Sequence, residues 1–212
     1  MATLIKICGL SSPATLLETI AAGAELAGFV FFEKSPRHID FETARTLGAL
    51  AQGRINKVAL TVDANDALLD EVVDALAPDM LQLHGKESLA RVGAVKARYG
   101  LPVIKAIGVG SAEDVAGAAP YGDVADVLLF DAKPAPDAVV PGGAGVAFDW
   151  ELLRNISAAN WMLSGGLDPQ NVAEAVAVTK ATLVDVSSGV ESAPGIKETT
   201  KIRAFLEVVR DL

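Results

Sequence analysis

Short runs of Val, Ile, Leu and Phe alternate along the chain with Ala-rich segments whose apolar residues recur at helical spacing. The runs are LIKIC (4–8), AGFVFF (27–32), KVALTV (57–62), MLQLH (80–84), PVIKAI (102–107), DVLLFD (126–131), NWMLS (160–164) and TLVDV (182–186). Their length and β-branched content predict strands. The segments between them, such as SPATLLETIAAG (12–23), DALLDEVVDALA (66–77) and DPQNVAEAVAV (168–178), predict amphipathic helices. Asp168 followed by Pro169 predicts a helix start, with the aspartate as N-cap and the proline in the first turn.

Strands alternating with helices build either an open doubly wound sheet or a closed barrel. Eight such units within 212 residues favour closure. The turn after the first strand, CGLSSP, also lacks the G-x-G-x-x-G spacing of a dinucleotide-binding sheet. The expectation is an α/β protein, a single-domain (β/α)8 TIM barrel over residues 1–212.

In such a barrel the C-terminal ends of all eight strands share one rim, and that rim carries the chemistry. Cys8 closes the first strand, Arg37 follows the second, His84 ends the fourth and Asp131 ends the sixth. Gly9 predicts a turn at which a substrate approaches the rim. The seventh and eighth strands run into SGGL (164–167) and SSGV (187–190), where glycine lets backbone N–H groups come close to an anion. Gly165 and Gly166, with Gly189 and a hydroxyl from Ser187 or Ser188, are the candidate phosphate cradle. PGGAG (141–145), with Gly143 at its centre, could wrap the same ligand or act as a lid. Taken singly, several of these residues have plainer readings. Asp131 can cap its own turn, Arg37 can be a solvated surface side chain, and His84 can be a neutral rim residue. Two charges inside apolar strands are harder to set aside. Asp185 and Lys6 both share the parity of barrel-facing positions, and buried charges pair, so a Lys6–Asp185 contact between neighbouring strands is expected. Lys6 would then favour the Cys8 thiolate.

Composition narrows the class of ligand. Acidic residues outnumber basic ones by 27 to 18, a net charge of −9 that argues against nucleic acid and anionic membranes as partners but leaves room for a local phosphate pocket. Glu25 interrupts the most apolar stretch, near residues 19–32, and the N-terminus lacks the pattern of a signal peptide. One cysteine allows no internal disulfide, and two histidines make a zinc cluster implausible. The expectation is a soluble, cytoplasmic, metal-independent protein, a monomer or homodimer whose partner is a small molecule.

As a set, KICG (6–9), GFVFFEKSPR (28–37), LQLHG (81–85), GGAGVAFDW (142–150), LSGGLDPQNV (163–172) and VDVSSGVESAPGIKE (184–198) resemble phosphoribosylanthranilate isomerase, in order and over nearly the whole chain. The resemblance implies a cofactor-free (β/α)8 enzyme of tryptophan biosynthesis that rearranges an N-linked phosphoribosyl anthranilate to its ketose isomer. It implies Cys8 as general base, Asp131 as general acid and Arg37 on the anthranilate carboxylate. It places the phosphate at Gly165, Gly166, Ser188 and Gly189, and Asp185 near the sugar hydroxyls. Sister reactions fit less well. A phosphosugar epimerase of this fold would want more metal-ligating histidines, and an indole-forming synthase would want catalytic lysines. A bifunctional isomerase would need a second phosphate site after strands three and four, where only Gly85 with Lys86 and Ser88 is anion-friendly. A phosphate-binding scaffold would need neither Cys8 nor Asp131.

Overall fold

The structure is a computed structural model that describes residues 3–135, 140, 142, 145, 147–156, 158 and 160–212. Eight parallel strands, β1 (Leu4–Cys8), β2 (Leu26–Phe31), β3 (Asn56–Thr61), β4 (Met80–Leu83), β5 (Val103–Val109), β6 (Val127–Ala132), β7 (Trp161–Leu163) and β8 (Leu183–Val186), close into a barrel in chain order. β1 pairs with β2 on one side and with β8 on the other, which seals the ring. The surrounding helices are α1 (Pro13–Ala21), α2 (Phe41–Ala51), α3 (Asp66–Leu76), α4 (Leu89–Tyr99), α5 (Ala112–Gly117), α6 (Val172–Thr179) and α7 (Thr199–Arg210).

Both faces of each strand are buried, which is why the strands read as nearly continuous apolar runs. One parity of side chains, including Leu26, Val58, Ile104, Ala106, Leu129 and Met162, plugs the barrel interior. The other parity, including Ile5, Ile7, Phe29, Leu81 and Val103, packs outward against the helices. Above the plug a small cluster of Cys8, Val30 and Leu60 forms the floor of the rim. Ser12, Asp40, Asn65 and Ser88 cap α1 to α4, each accepting the N–H three residues on. Such a cap stabilises a helix by about 1 kcal/mol.

Two departures from the sequence reading have local causes. Asp168 does not start α6. Its carboxylate accepts the N–H groups of Gln170 and Asn171, which holds a turn, and the helix begins only at Val172 with Asn171 as its N-cap. The unit after β6 carries a 3₁₀ turn, Trp150–Leu153, in place of an α-helix among the described residues. The sequence from Lys133 to Asp149 is rich in Pro and Gly, which are poor helix formers. After β8 comes a hairpin that the periodicity does not announce, β9 (Glu191–Ala193) paired antiparallel with β10 (Ile196–Lys197).

Candidate active site

The strand ends enclose a cavity of about 390 Å³ lined by Cys8, Arg37, His84, Asp131, Ser164, Gly165, Gly166, Asp185, Ser187 and Ser188. Eight strands thus bring to one mouth nine of the eleven residues singled out from sequence. Of the remaining two, Gly189 is absent from the lining and Gly143 lies outside the described residues. A Cβ at Gly189 would run into the Leu167 carbonyl and sit 2.9 Å from Asp168, so this glycine lets the turn after β8 nest on the turn after β7. An apolar wall of Val30, Phe32, Leu60 and Val62 completes one side.

The thiol of Cys8 is 4% exposed and lies beside the ammonium of Lys6. Both atoms approach Gly28, where a Cβ would lie 2.9 Å from Sγ and 3.1 Å from Nζ, so a side chain there would displace one of them. Lys6 Nζ is 2.8 Å from Asp185 Oδ1, between residues that pair directly across β1 and β8, as the strand parity predicts. Ser164 Oγ donates to the other carboxylate oxygen at 3.2 Å. Burial pushes the Cys8 thiol up, and Asp185 adds to the rise; Lys6, and more weakly Lys197, pull it down without cancelling the burial. For Lys6, burial opposes the charge, but Asp185 and Cys8 together outweigh it and hold the ammonium above its ordinary range. The lysine favours thiolate, as expected from sequence, yet the net direction at the thiol is upward.

Opposite charges organise the rest of the mouth. Asp131 Oδ2 lies 3.2 Å from His84 Nε2, while its Oδ1 accepts the Ala132 N–H at 2.8 Å. The aspartate therefore both caps its own turn and faces the cavity. His84 Nδ1 in turn meets Gln82 Nε2 at 2.9 Å, which fixes the ring. With the amide nitrogen donating, the neutral imidazole carries its proton on Nε2, toward Asp131. Gly142 sits over this pair, for a Cβ there would come 2.5 Å from Asp131 Oδ2 and 2.8 Å from His84 Nε2.

Arg37 is not a solvated surface side chain. Its Nε and Nη2 donate to Glu191 Oε1 and Oε2 at 2.7 and 2.8 Å, a bidentate pair in the cavity wall. Gly9, at φ +78°, makes room for this arginine, since a Cβ would come 2.7 Å from Arg37 Cδ. Gly165 and Gly166 take φ values of +85° and +65°, a double left-handed turn that only glycine adopts without strain. Ser188 opens the 3₁₀ turn Ser188–Val190 beside it.

Sequence reasoning missed Gln82, Ser164, Glu191 and Lys197. Gln82 stands two residues before His84 on one strand, so the parity rule that paired Lys6 with Asp185 also placed it inside. Glu191 and Lys197 lie within VDVSSGVESAPGIKE but belong to no strand or helix period. The loops after β3 and β4 also settle whether a second anion site exists there. Glu87 accepts the N–H groups of Gly85 and Asp63, Asp63 accepts that of Lys86, and Ser88 caps α4. The protein's own carboxylates occupy the groups that a second phosphate would need.

A buried thiol beside a lysine, a carboxylate backed by histidine, paired glycine turns after β7 and β8 and a fixed arginine define an acid–base enzyme for phosphosugars on a (β/α)8 barrel. Comparison with known proteins agrees. A model of the family N-(5'-phosphoribosyl)anthranilate (PRA) isomerase matches residues 5–208. The N-(5'-phosphoribosyl)anthranilate isomerase of Rhodopseudomonas palustris strain HaA2 is 56% identical over 211 residues, covering 99% of this chain and 97% of the relative. The crystal structure of phosphoribosyl anthranilate isomerase from Thermotoga maritima superposes with a TM-score of 0.88 at 33% identity, covering all of both chains. A crystal structure of the isomerase in complex with reduced 1-(o-carboxyphenylamino)-1-deoxyribulose 5-phosphate gives 0.85 at 32% identity, again over all of both chains. The chain belongs to the N-(5'-phosphoribosyl)anthranilate isomerase family of tryptophan biosynthesis.

Proposed function

We propose that Cys8 and Asp131 divide the acid–base work of converting N-(5'-phosphoribosyl)anthranilate to 1-(2-carboxyphenylamino)-1-deoxyribulose 5-phosphate. The observation that supports this most directly is the pairing of each group with a partner suited to its task, Lys6 beside the thiol and His84 beside the carboxylate, in one cavity. Asp131 in its acid form gives a proton to the furanose ring oxygen, the C1–O bond breaks, and the nitrogen lone pair forms an iminium. The iminium acidifies C2–H, and the Cys8 thiolate takes that proton while the electrons form the enolamine. C1 then gains a proton and the C2 hydroxyl gives one up, so substrate and product share one composition. The positive charge of the iminium reinforces Lys6 in drawing the thiol toward thiolate at the moment it is needed. General acid and base steps each contribute roughly 10²–10⁴-fold.

Anchors at the two ends orient the sugar between these groups. Gly165, Gly166, Ser187 and Ser188 bind the phosphate, with Gly189 supporting their turn from behind. Asp185 lies near the sugar hydroxyls and His84 near the acid. Arg37 meets the anthranilate carboxylate, and the Val30–Phe32–Leu60–Val62 wall accepts the ring. We place the enzyme in the cytoplasm as a monomer or homodimer. Among the described residues no helix is long and apolar enough to cross a membrane.

The test uses freshly prepared N-(5'-phosphoribosyl)anthranilate and follows the absorbance of its aromatic ring. Cys8→Ala and Asp131→Asn are each expected to fold and bind the reduced product while losing at least about 100-fold in kcat. Turnover near wild type at saturating substrate in either variant removes that residue from the mechanism.

A further inference from the structure

Glu191 and Lys197 take no part in the proton transfers, yet their side chains are only 4% and 1% exposed, and they stand behind Arg37. Glu191 Oε1 accepts from Arg37 Nε and from Lys197 Nζ, at 2.7 and 2.6 Å, and Oε2 accepts from Arg37 Nη2 at 2.8 Å. Lys197 also donates to the carbonyl and hydroxyl of Ser187 at 3.1 and 3.2 Å, and the Ser187 hydroxyl donates to the Cys8 carbonyl at 3.1 Å. A continuous line of contacts therefore joins Arg37 to the phosphate turn and to the strand of the base. The hairpin that supplies both residues presses on the arginine's own loop. Gly195, at φ +82°, packs so tightly on the Pro36 carbonyl that no Cβ fits.

Charge gives this arrangement a purpose beyond holding a loop. An isolated Arg37–Glu191 pair is neutral and, with its carboxylate close by, offers an incoming anion little net attraction. Lys197 brings a second positive charge to Glu191 and offsets that of the carboxylate. Burial would raise the Glu191 carboxyl, but Arg37 and Lys197 outweigh it and hold it below the ordinary range, so the anchor stays ionised. Burial pulls the Lys197 ammonium down against the opposing pull of Glu191.

We propose that Glu191 and Lys197 are positioning residues that make the site select a ligand with a carboxylate on its aromatic ring. Glu191 fixes the plane of the Arg37 guanidinium, and Lys197 offsets the charge of Glu191 so that the carboxylate does not repel the substrate's. This rests on the assignment of Arg37 to the anthranilate carboxylate, and the test separates the two.

The full chain is titrated calorimetrically with two ligands, reduced 1-(o-carboxyphenylamino)-1-deoxyribulose 5-phosphate and the same compound without its carboxylate. Wild type is expected to prefer the carboxylated ligand, and Arg37→Met to lose the preference. Lys197→Met is expected to cut the preference about tenfold while binding the decarboxylated ligand as wild type does. Lys197→Arg, which keeps the charge, is expected to restore it. In turnover the loss should fall on KM more than on kcat. Glu191→Gln alone also removes a negative charge that opposes the ligand's, so positioning by Glu191 is read in Glu191→Gln/Lys197→Gln, which removes one charge of each sign and whose preference should also drop about tenfold. Undiminished preference in Arg37→Met overturns the carboxylate assignment. Lost preference in Arg37→Met, with wild-type preference in the Glu191 and Lys197 variants, overturns the positioning role alone. Equal weakening of both ligands in those variants assigns them to the phosphate turn and overturns it too.

Discussion

Lys6→Met removes the stronger of the two buried ammonium groups, Lys6 and Lys197, that pull the Cys8 thiol down. Burial and Asp185 remain, and both push the thiol up. Taking charges about 5 Å apart at an effective permittivity of about 20, the lost attraction is about 3 kcal/mol. A loss of that size is about 100-fold in the thiolate fraction at a fixed pH, and the thiol moves further up. On the proposal that Cys8 is the base and works as thiolate, kcat/KM climbs with pH as the thiol ionises. The variant should therefore fall about 100-fold at neutral pH and recover toward wild type as the pH is raised. Cys8 is the only cysteine, so the pH dependence of its alkylation by iodoacetamide reads the same quantity without substrate. Breaking the pair also strands Asp185, at a cost of about 3–5 kcal/mol in stability, and a thermal melt must show that the variant is folded at the assay temperature. Lys6→Met/Asp185→Asn removes the lowering and a raising influence together, and its alkylation midpoint should lie between those of wild type and the single variant. An unmoved midpoint in folded Lys6→Met would refute the electrostatic role of Lys6.

Gly9→Ala forces a Cβ into left-handed backbone and against Arg37. It should cost about 1–2 kcal/mol in stability by denaturant titration and raise KM more than it lowers kcat, because Arg37 is the group proposed to hold the substrate carboxylate. Gln82→Met leaves His84 Nδ1 without its donor, so the ring no longer holds one tautomer toward Asp131. A fall of about tenfold in kcat with KM little changed is expected from steady-state kinetics, within the usual range for a disturbed acid–base step.

Regular, two-faced elements were readable from sequence, and irregular ones were not. β1 begins and ends where its apolar run does, and the Lys6–Asp185 pair follows from side-chain parity in parallel strands, a rule that depends on backbone geometry alone. Asp168 has the chemistry of an N-cap, but its carboxylate is spent on the two N–H groups of a preceding turn, so the helix starts later. The β9–β10 hairpin has two- and three-residue strands with no period to detect. It is held by Glu191 reaching Arg37, 154 residues away in the chain. Arg37 itself was legible as a rim residue, while its partner was not, since a carboxylate that pairs across that distance carries no local signal. Gly9 was legible as a turn from its residue type, while its contact with Arg37 was not, since what fills the space of its missing side chain is decided by the fold.

Closure of the ring between β1 and β8 also ties the surroundings of the thiol to the seam of the barrel. Lys6 and Asp185 stand 179 positions apart in the chain and meet where the first strand pairs with the last. Packing the first strand without the last would bury an ammonium with no counter-charge, which is costly. The strand that completes the barrel therefore also completes the charge balance beside Cys8.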